Sequence, residues 1–424
     1  MTVISQQWTL TQKIIFRYVF ISFGLFIILQ NNGAYPLLGM VSRYIDQGLH
    51  LFIPWMAKNF IHPGYEITVF TNGSGDTTYD YLILLVIALA AIPGTLIWSL
   101  TDRKRLNYYN LYYWLTVAAR YYVGFMLIQY GSIKVIKLQF SSPTQYRLNE
   151  AYGDSTPMGL AWTFLGFSTG YNLFMGIAEL MAGFLLFRRT VAIGAIFTLM
   201  ASVNVMAVNY FYNVPVKIIS TGLVTLSIFL LSPNLDRLYQ LFIRGEAIKL
   251  QTIDPPYIKK KWLRYTKIAF KYLLISFVIV VNIIQLLQGR KQYGDAAPKS
   301  PLYGTYTVEM YKLNKDTIPP DTRQQKRWKA LFIGGVSRAS IRLMNDSLQT
   351  IDMSADTKLK KLTLIFDADS TKAKQILYYE IPGKGRLLIK GKLYGDSIKV
   401  ELSKKSFRLM DTNFHWINER PDNK

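Results

Sequence analysis

Two different periodicities divide the chain. Over its first two-thirds, runs of mostly apolar residues recur at 14–30, 81–100, 111–131, 171–187, 191–209, 215–232 and 268–288. A bilayer-crossing helix needs about 20 such residues, somewhat fewer with flanking anchors, so the pattern predicts about seven spans. Between the first two runs, Leu37, Val41, Ile45 and Phe52 stand at helical spacing with Trp55 nearby, which predicts a helix lying in an interface rather than across it. The segment TNGSGDTT at 71–78 has the composition of a turn-rich tip. After Tyr293 the period falls to two. The alternation predicts strands at 306–313, 330–335, 340–344, 361–366, 376–381, 386–393, 397–403 and 406–410, with turn residues at 367–370, 382–385 and 394–397. Short strands joined by hairpins predict an antiparallel barrel or sandwich. The predicted fold is therefore an α-helical integral membrane protein with a C-terminal antiparallel β-domain.

Charge orients this arrangement. The 424 residues carry a formal net charge of +23. In a soluble protein that excess points to nucleic acid; here it concentrates in loops. Residues 102–105, Arg188-Arg189 and the connection 233–267 are basic, and they alternate with poorer loops at 31–80, 132–170 and 210–214. The positive-inside rule then places the N-terminus in the cytoplasm and everything after residue 289 in the periplasm of a cell with an inner membrane. The basic connection acts as a topology determinant near anionic lipid, and no nucleic-acid partner is predicted. The first run is too long for a cleavable signal peptide, and no small-residue cleavage site follows it, so it is expected to stay as a helix. The absence of cysteine excludes disulfides and thiolate chemistry. None of the three histidines lies in a strongly apolar run, which argues against membrane haem. His62, Glu66, Asp76 and Asp80 share a loop at no metal-binding spacing, and no metal site is predicted.

The third run departs from this apolar pattern. It contains Arg120 and ends near Lys134 and Lys137, while the fourth contains Glu179. Counted from the run boundaries at 1.5 Å per residue, Arg120 lies roughly 14 Å above the inner edge and Glu179 roughly 12 Å below the outer edge. In a core about 30 Å thick those depths nearly coincide, which predicts an Arg120–Glu179 ion pair. Lys134 and Lys137 fall at the outer end, where they would snorkel. Arg120, Gly124, Gly131 and Lys134 share one helix face, as do Gly176, Glu179 and Gly183, and small residues beside a charge mark a face packed on other helices. Asn204 and Asn209 are expected to add polar contacts inside the bundle. The loop 141–159 supplies Tyr146, Arg147, Glu150, Tyr152 and Asp154 as a polar lid above the same helices.

The string Arg120-x3-Gly124-x6-Gly131-x2-Lys134, with Gly176-x2-Glu179-x3-Gly183 on the next helix, resembles the DoxX family of bacterial membrane proteins. The likeness spans residues 111–232, which the resemblance makes a four-helix bundle with Arg120, Lys134 and Glu179 at the family's polar positions. With its C-terminal β-domain the chain is most similar to DoxX-like proteins of the Bacteroidetes type. Some family members are subunits of thiosulfate:quinone oxidoreductases and others belong to oxidative-stress complexes. The resemblance thus implies a quinone-interacting oxidoreductase subunit, with the quinone or a partner subunit carrying electrons, and no covalently bound cofactor. Two other readings stand beside it: a non-enzymatic assembly or cargo-binding protein whose β-domain holds a periplasmic or membrane protein partner, and a small-solute transporter. The segments on this reading are a two-span part with a long outer loop (1–110), the bundle (111–232), a basic cytoplasmic connection (233–267), a last span (268–288) and the β-domain (295–424). That domain resembles a small lipocalin-like barrel. His415, between Phe414 and Trp416, is expected to be a packing residue, and no catalytic triad or phosphate loop is present.

Overall fold

The computed structural model describes residues 7–69, 75–324, 326–411, 415–417 and 419, and for residues 40–42 the backbone alone. The chain forms two compact units, one of residues 1–140 and 157–289 and one of residues 141–156 and 290–424.

The first unit is helical. Its helices are α1 (Leu10–Leu29), α2 (Leu38–Met56), α3 (Thr78–Thr101), α4 (Tyr109–Val135), α6 (Pro157–Phe167), α7 (Thr169–Leu180), α8 (Val191–Phe211), α9 (Lys217–Leu231), α10 (Leu235–Phe242) and α11 (Lys261–Arg290); the short α5 (Gln145–Leu148) falls in the second unit. Each of the seven apolar runs falls on a helix. Among the described residues, six helical stretches are long and apolar enough to cross a membrane: α1, α3, α7 with its extension to Leu186, α8 with the turn before it, α9 continued through α10, and α11. The chain therefore reads as a multi-pass membrane protein. The seventh run, α4, is enclosed by the others. An outer face would interleave exposed residues with buried ones, yet Ala119 through Ile128 are buried without interruption. A helix buried on every side belongs to a core. Around it pack α1 through Ile27, α8 through Ala195, α9 through Leu223, the turn after α7 through Leu185, and α11 through Ile275 and Val278.

Local chemistry explains the helix ends. Thr9 with Gln12, and Thr77 with Asp80, form capping boxes at the starts of α1 and α3. The start of α9 is capped from a distance, because Asp76 accepts from the amides of Lys217 at 2.6 Å and Ile218 at 2.9 Å. Asp76 and Asp80 thus serve as helix caps. The predicted interface helix is α2, continued by a π-turn to Ile61; it buries Ile53 and Ala57 and leaves Leu51, Phe52 and Trp55 outward. The side chain of Val41, residues 71–74 of the turn-rich tip, and Phe414 beside His415 lie outside the described residues.

The second unit is an eight-stranded antiparallel barrel. Its strands are β1 (Lys299–Leu313), β3 (Trp328–Gly335), β4 (Arg338–Leu343), β5 (Leu348–Asp356), β6 (Lys361–Phe366), β7 (Gln375–Glu380), β8 (Arg386–Leu393) and β9 (Asp396–Lys405), with a two-residue stub β2 (Asp316–Thr317) beside β1. Every neighbour is next in sequence, and β9 returns to β1 from Thr305↔Lys405 to Leu313↔Ile398, which closes the ring. Closure removes both sheet edges and settles the choice between barrel and sandwich. The β8–β9 hairpin turns on Tyr394-Gly395, both at positive φ (51° and 90°), as a two-residue type I′ turn demands. Inward residues such as Ile341, Ile351, Leu377 and Val400 form the core.

Two strand assignments need correction. β5 is absent from the predicted set, since Asp352, Ser354 and Asp356 are poor strand formers, although Ile351 and Met353 alternate inward between them. The run at 406–410 is not a strand: a short helix, α12 (Arg408–Asp411), stands there. With β9 already paired to β1, the barrel has no edge left to receive it.

Candidate functional site

The charged residues of the bundle pair differently from the depth argument. Lys134 Nζ lies 2.8 Å from both Oε1 and Oε2 of Glu179, with the two side chains 6% and 4% exposed. The Arg120–Glu179 pair is therefore overturned, and so is the snorkelling of Lys134. Both expectations fail for one reason. Lys134 is roofed by Phe140, whose ring lies 5.7 Å from Nζ and packs edge-on against Trp162 of α6 at 5.0 Å. At eleven residues, or about 16 Å, α6 is too short to read as a span. It nevertheless covers the end of α4. Tyr130 closes another side at 5.6 Å. Lys134 sits in the last turn of α4, where the helix dipole favours a cation.

Glycine allows the approach. A Cβ on Gly176 would stand 2.7 Å from the carbonyl oxygen of Gly131, and one on Gly131 would stand 2.7 Å from that of Gly176. The α4–α7 seam is therefore backbone against backbone, as small residues permit. Gly183 does not share it: a 3-10 turn (Met181–Leu186) follows α7, rotates the later residues off the stripe and leaves Gly183 facing open space.

Arg120 lies away from the pair and donates from Nε to the Leu185 carbonyl at 2.8 Å. Asn204 is exposed on α8, a correction to its expected place inside; Asn209 is buried and donates to Val216 O at 3.1 Å. Sequence reasoning missed Arg17. It is 2% exposed and donates to the Tyr108 hydroxyl, Ser99 Oγ and Asp102 O, tying α1 to the ends of α3 and α4. A cation near the start of an apolar run was the available signal.

The loop residues belong to the barrel unit. The short helix α5 lies on the outer face of the barrel, where Gln145 bonds Tyr303 and Thr305. Tyr146 packs edge-on against Phe332 at 5.7 Å, and the Arg342 guanidinium lies over both rings at 5.2 and 5.4 Å. Arg147 and Glu150 pair with each other, Ser155 donates to Glu150, and Asp154 is exposed.

The barrel itself supplies a concavity that sequence reasoning did not anticipate. At the end formed by the β8–β9 hairpin lies a cavity of about 560 Å³. Tyr311, Trp328 and Phe366 line its apolar part, and Lys326, Asp367, Asp369 and Asp396 its polar part. An eight-stranded barrel is just wide enough to hold one small ligand, and this volume falls within the range of small-molecule sites. Burial, with Asp396 nearby, pushes the Tyr311 phenol up to about 12, so it stays a neutral donor. Hydrogen bonds from Asn314 and Lys326 hold the Asp396 carboxyl below the usual carboxylate range, and bonds from Thr371 do the same for Asp369. The rim therefore presents three carboxylates, one of them (Asp396) paired with Lys326 at 3.2 Å, above an aromatic floor.

No family model and no solved structure matches the chain. A stretch of 113 residues is 35% identical to a protein of Bacillus subtilis (strain 168) described as "Uncharacterized protein YwoB", and it covers 26% of this chain and 71% of that protein. On that identity and coverage, the chain belongs to the same family as Bacillus YwoB.

Proposed function

We propose that this chain is a membrane-anchored binding protein: the helical unit holds it in an inner membrane, and the barrel takes a small amphipathic molecule. The observation that carries the reading is the 560 Å³ cavity with its aromatic floor and carboxylate rim. That lining suits a ligand with an apolar body and a head that is cationic or rich in hydrogen-bond donors. The basic loops at 102–105, 188–189 and 233–267 support a cytoplasmic N-terminus and a periplasmic barrel. No reaction is assigned to the cavity. The test is mass spectrometry of molecules retained by the full-length protein after mild detergent extraction. Ala368→Trp plugs the cavity mouth and Asp369→Asn removes rim charge; both should release a molecule that the wild type retains. If the three proteins carry the same molecules, the binding reading is wrong.

A second reading keeps the DoxX-like resemblance and makes the bundle a quinone-interacting oxidoreductase subunit. It is favoured by the buried Lys134–Glu179 pair, which occupies two of the positions that carry the resemblance. A quinone that co-purifies with the wild type, and is lost from a Lys134→Met, Glu179→Gln double variant that still folds, would support it. Retention of the quinone by that variant would remove the pair from the reading.

A further inference from the structure

A second cavity lies inside the helical unit, away from the Lys134–Glu179 pair. Its volume is about 150 Å³, and its lining includes Arg120, Arg188, Arg189, Asn234 and Gln251 together with residues 191–193, the first turn of α8. Three guanidinium groups around so small a space need an explanation.

Arg120 is the most demanding of them. It is 5% exposed, and its one hydrogen bond uses Nε. Among the described residues its two terminal amino groups meet no acceptor. A buried guanidinium left without a counter-charge is costly. Nor does the wall supply one: Asp254 binds Arg188 at 2.7 Å, but its side chain is 83% exposed.

The helix start adds a second contribution. α8 follows directly on the 3-10 turn Arg188–Thr190 and has no side-chain cap. Thr190, which stands at the capping position, turns its hydroxyl to the carbonyls of Phe184 and Phe187 instead. The positive end of the α8 dipole therefore faces the same space as Arg120.

A roof is built over this space. Gln251 and Asn234 exchange two hydrogen bonds, N to Oδ1 at 2.6 Å and Nδ2 to O at 3.1 Å, which fix the connection 250–253 across the cavity. Arg237 pins the same segment by donating to Lys249 O at 2.7 Å.

We propose that this cavity is an anion site for a phosphate group, bound by Arg120, Arg188, Arg189 and the start of α8. Forked guanidinium donors and helix N-termini are the two chemistries that bind phosphate best. At about 150 Å³ the space holds a phosphate or a phosphodiester head, and it is too small for the ligand class suited to the barrel. A free phosphate and an anionic phospholipid headgroup share this chemistry.

The test uses the full-length protein in neutral detergent and in nanodiscs. Unfolding temperature is measured against inorganic phosphate, with sodium chloride at matched ionic strength as the control, and in phosphatidylcholine nanodiscs with and without phosphatidylglycerol. A ligand bound only by the folded state raises that temperature. A rise with phosphate beyond the chloride control assigns the site to a free anion. A rise with phosphatidylglycerol alone assigns it to a lipid head. Arg120→Lys keeps the charge but loses the fork, and should weaken apparent affinity about tenfold. An Arg188→Gln, Arg189→Gln double variant, altered only at half-exposed and exposed positions, should lose the response while still folding. The proposal is overturned if the wild type responds to neither ligand, or if the double variant responds as fully as the wild type.

Discussion

Removing the charge from Glu179 is the sharpest perturbation this bundle offers. Glu179→Gln keeps the side chain's size but leaves the Lys134 ammonium buried without its anion. In the wild type both carboxylate oxygens stand at 2.8 Å from Nζ, so two charge-assisted hydrogen bonds are at stake. At about 1.5–3 kcal/mol each, they sum to the same range as the roughly 3–5 kcal/mol measured for one-sided breaks of buried pairs. For a unit of this size, about 2 °C per kcal/mol is the conservative conversion, which gives a fall of about 6–10 °C. Lys134→Met should cost a similar amount. The double variant leaves no charge stranded and should recover most of the loss, giving a coupling energy of at least about 2 kcal/mol, on the order of that seen for residues in one network. The assay is detergent unfolding followed by intrinsic fluorescence on wild type, both single variants and the double. Arg120→Met serves as the control, because Arg120 bonds Leu185 and its effect should simply add to that of Glu179→Gln. Harmless single changes, or coupling of Glu179 to Arg120 instead of Lys134, would refute the reasoning.

Gly176→Ala should destabilise the helical unit by about 1–3 kcal/mol through overpacking, because the new methyl would meet the Gly131 carbonyl and the backbone and β-branched side chain of Val135; calorimetry of the intact protein reads this. Arg342→Ala removes the cation between Tyr146 and Phe332, and should cost the barrel unit about 0.5–2 kcal/mol while speeding proteolysis within residues 141–156. Tyr311, raised to about 12 in the folded barrel from the ordinary value of 10.0, stabilises fully below pH 10. As pH rises above 10 the unfolded chain loses its proton first, so stability falls by roughly 1.4 kcal/mol per pH unit until the folded group also titrates. Alkaline melts of wild type and Tyr311→Phe should therefore diverge between pH 10 and 12, and parallel curves would remove the effect.

Much of the architecture was legible because periodicity reports burial. Apolar runs marked the helices, and alternation marked seven of the eight barrel strands. β5 escaped because its outward positions are Asp and Ser, whose composition hides the alternation of Ile351 and Met353. The sequence pattern left barrel and sandwich open, because the choice depends on β1 meeting β9 across almost the whole domain. In the bundle, spacing put Gly131 with Lys134 on one packed face and Gly176 with Glu179 on another, and the structure joins those faces at one seam. Depth misled: it treated each run as a straight rod between flat boundaries, whereas Lys134 is sealed in by Phe140 and by the short α6 behind it. Nothing local in the sequence announces such a roof.

The docking of α5 on the barrel has a topological consequence. Residues 141–156 and 290–424 belong to one folded unit, so they must lie on the same side of any barrier the intervening chain crosses. The number of crossings between them is then even. Four apolar stretches separate them, Thr169–Leu186, Arg188–Phe211, Lys217–Phe242 and Lys261–Arg290, and the count closes. Deleting any one of those stretches would strand Tyr146 across the membrane from Phe332, so parity, not only hydrophobicity, constrains how many helices this chain can gain or lose.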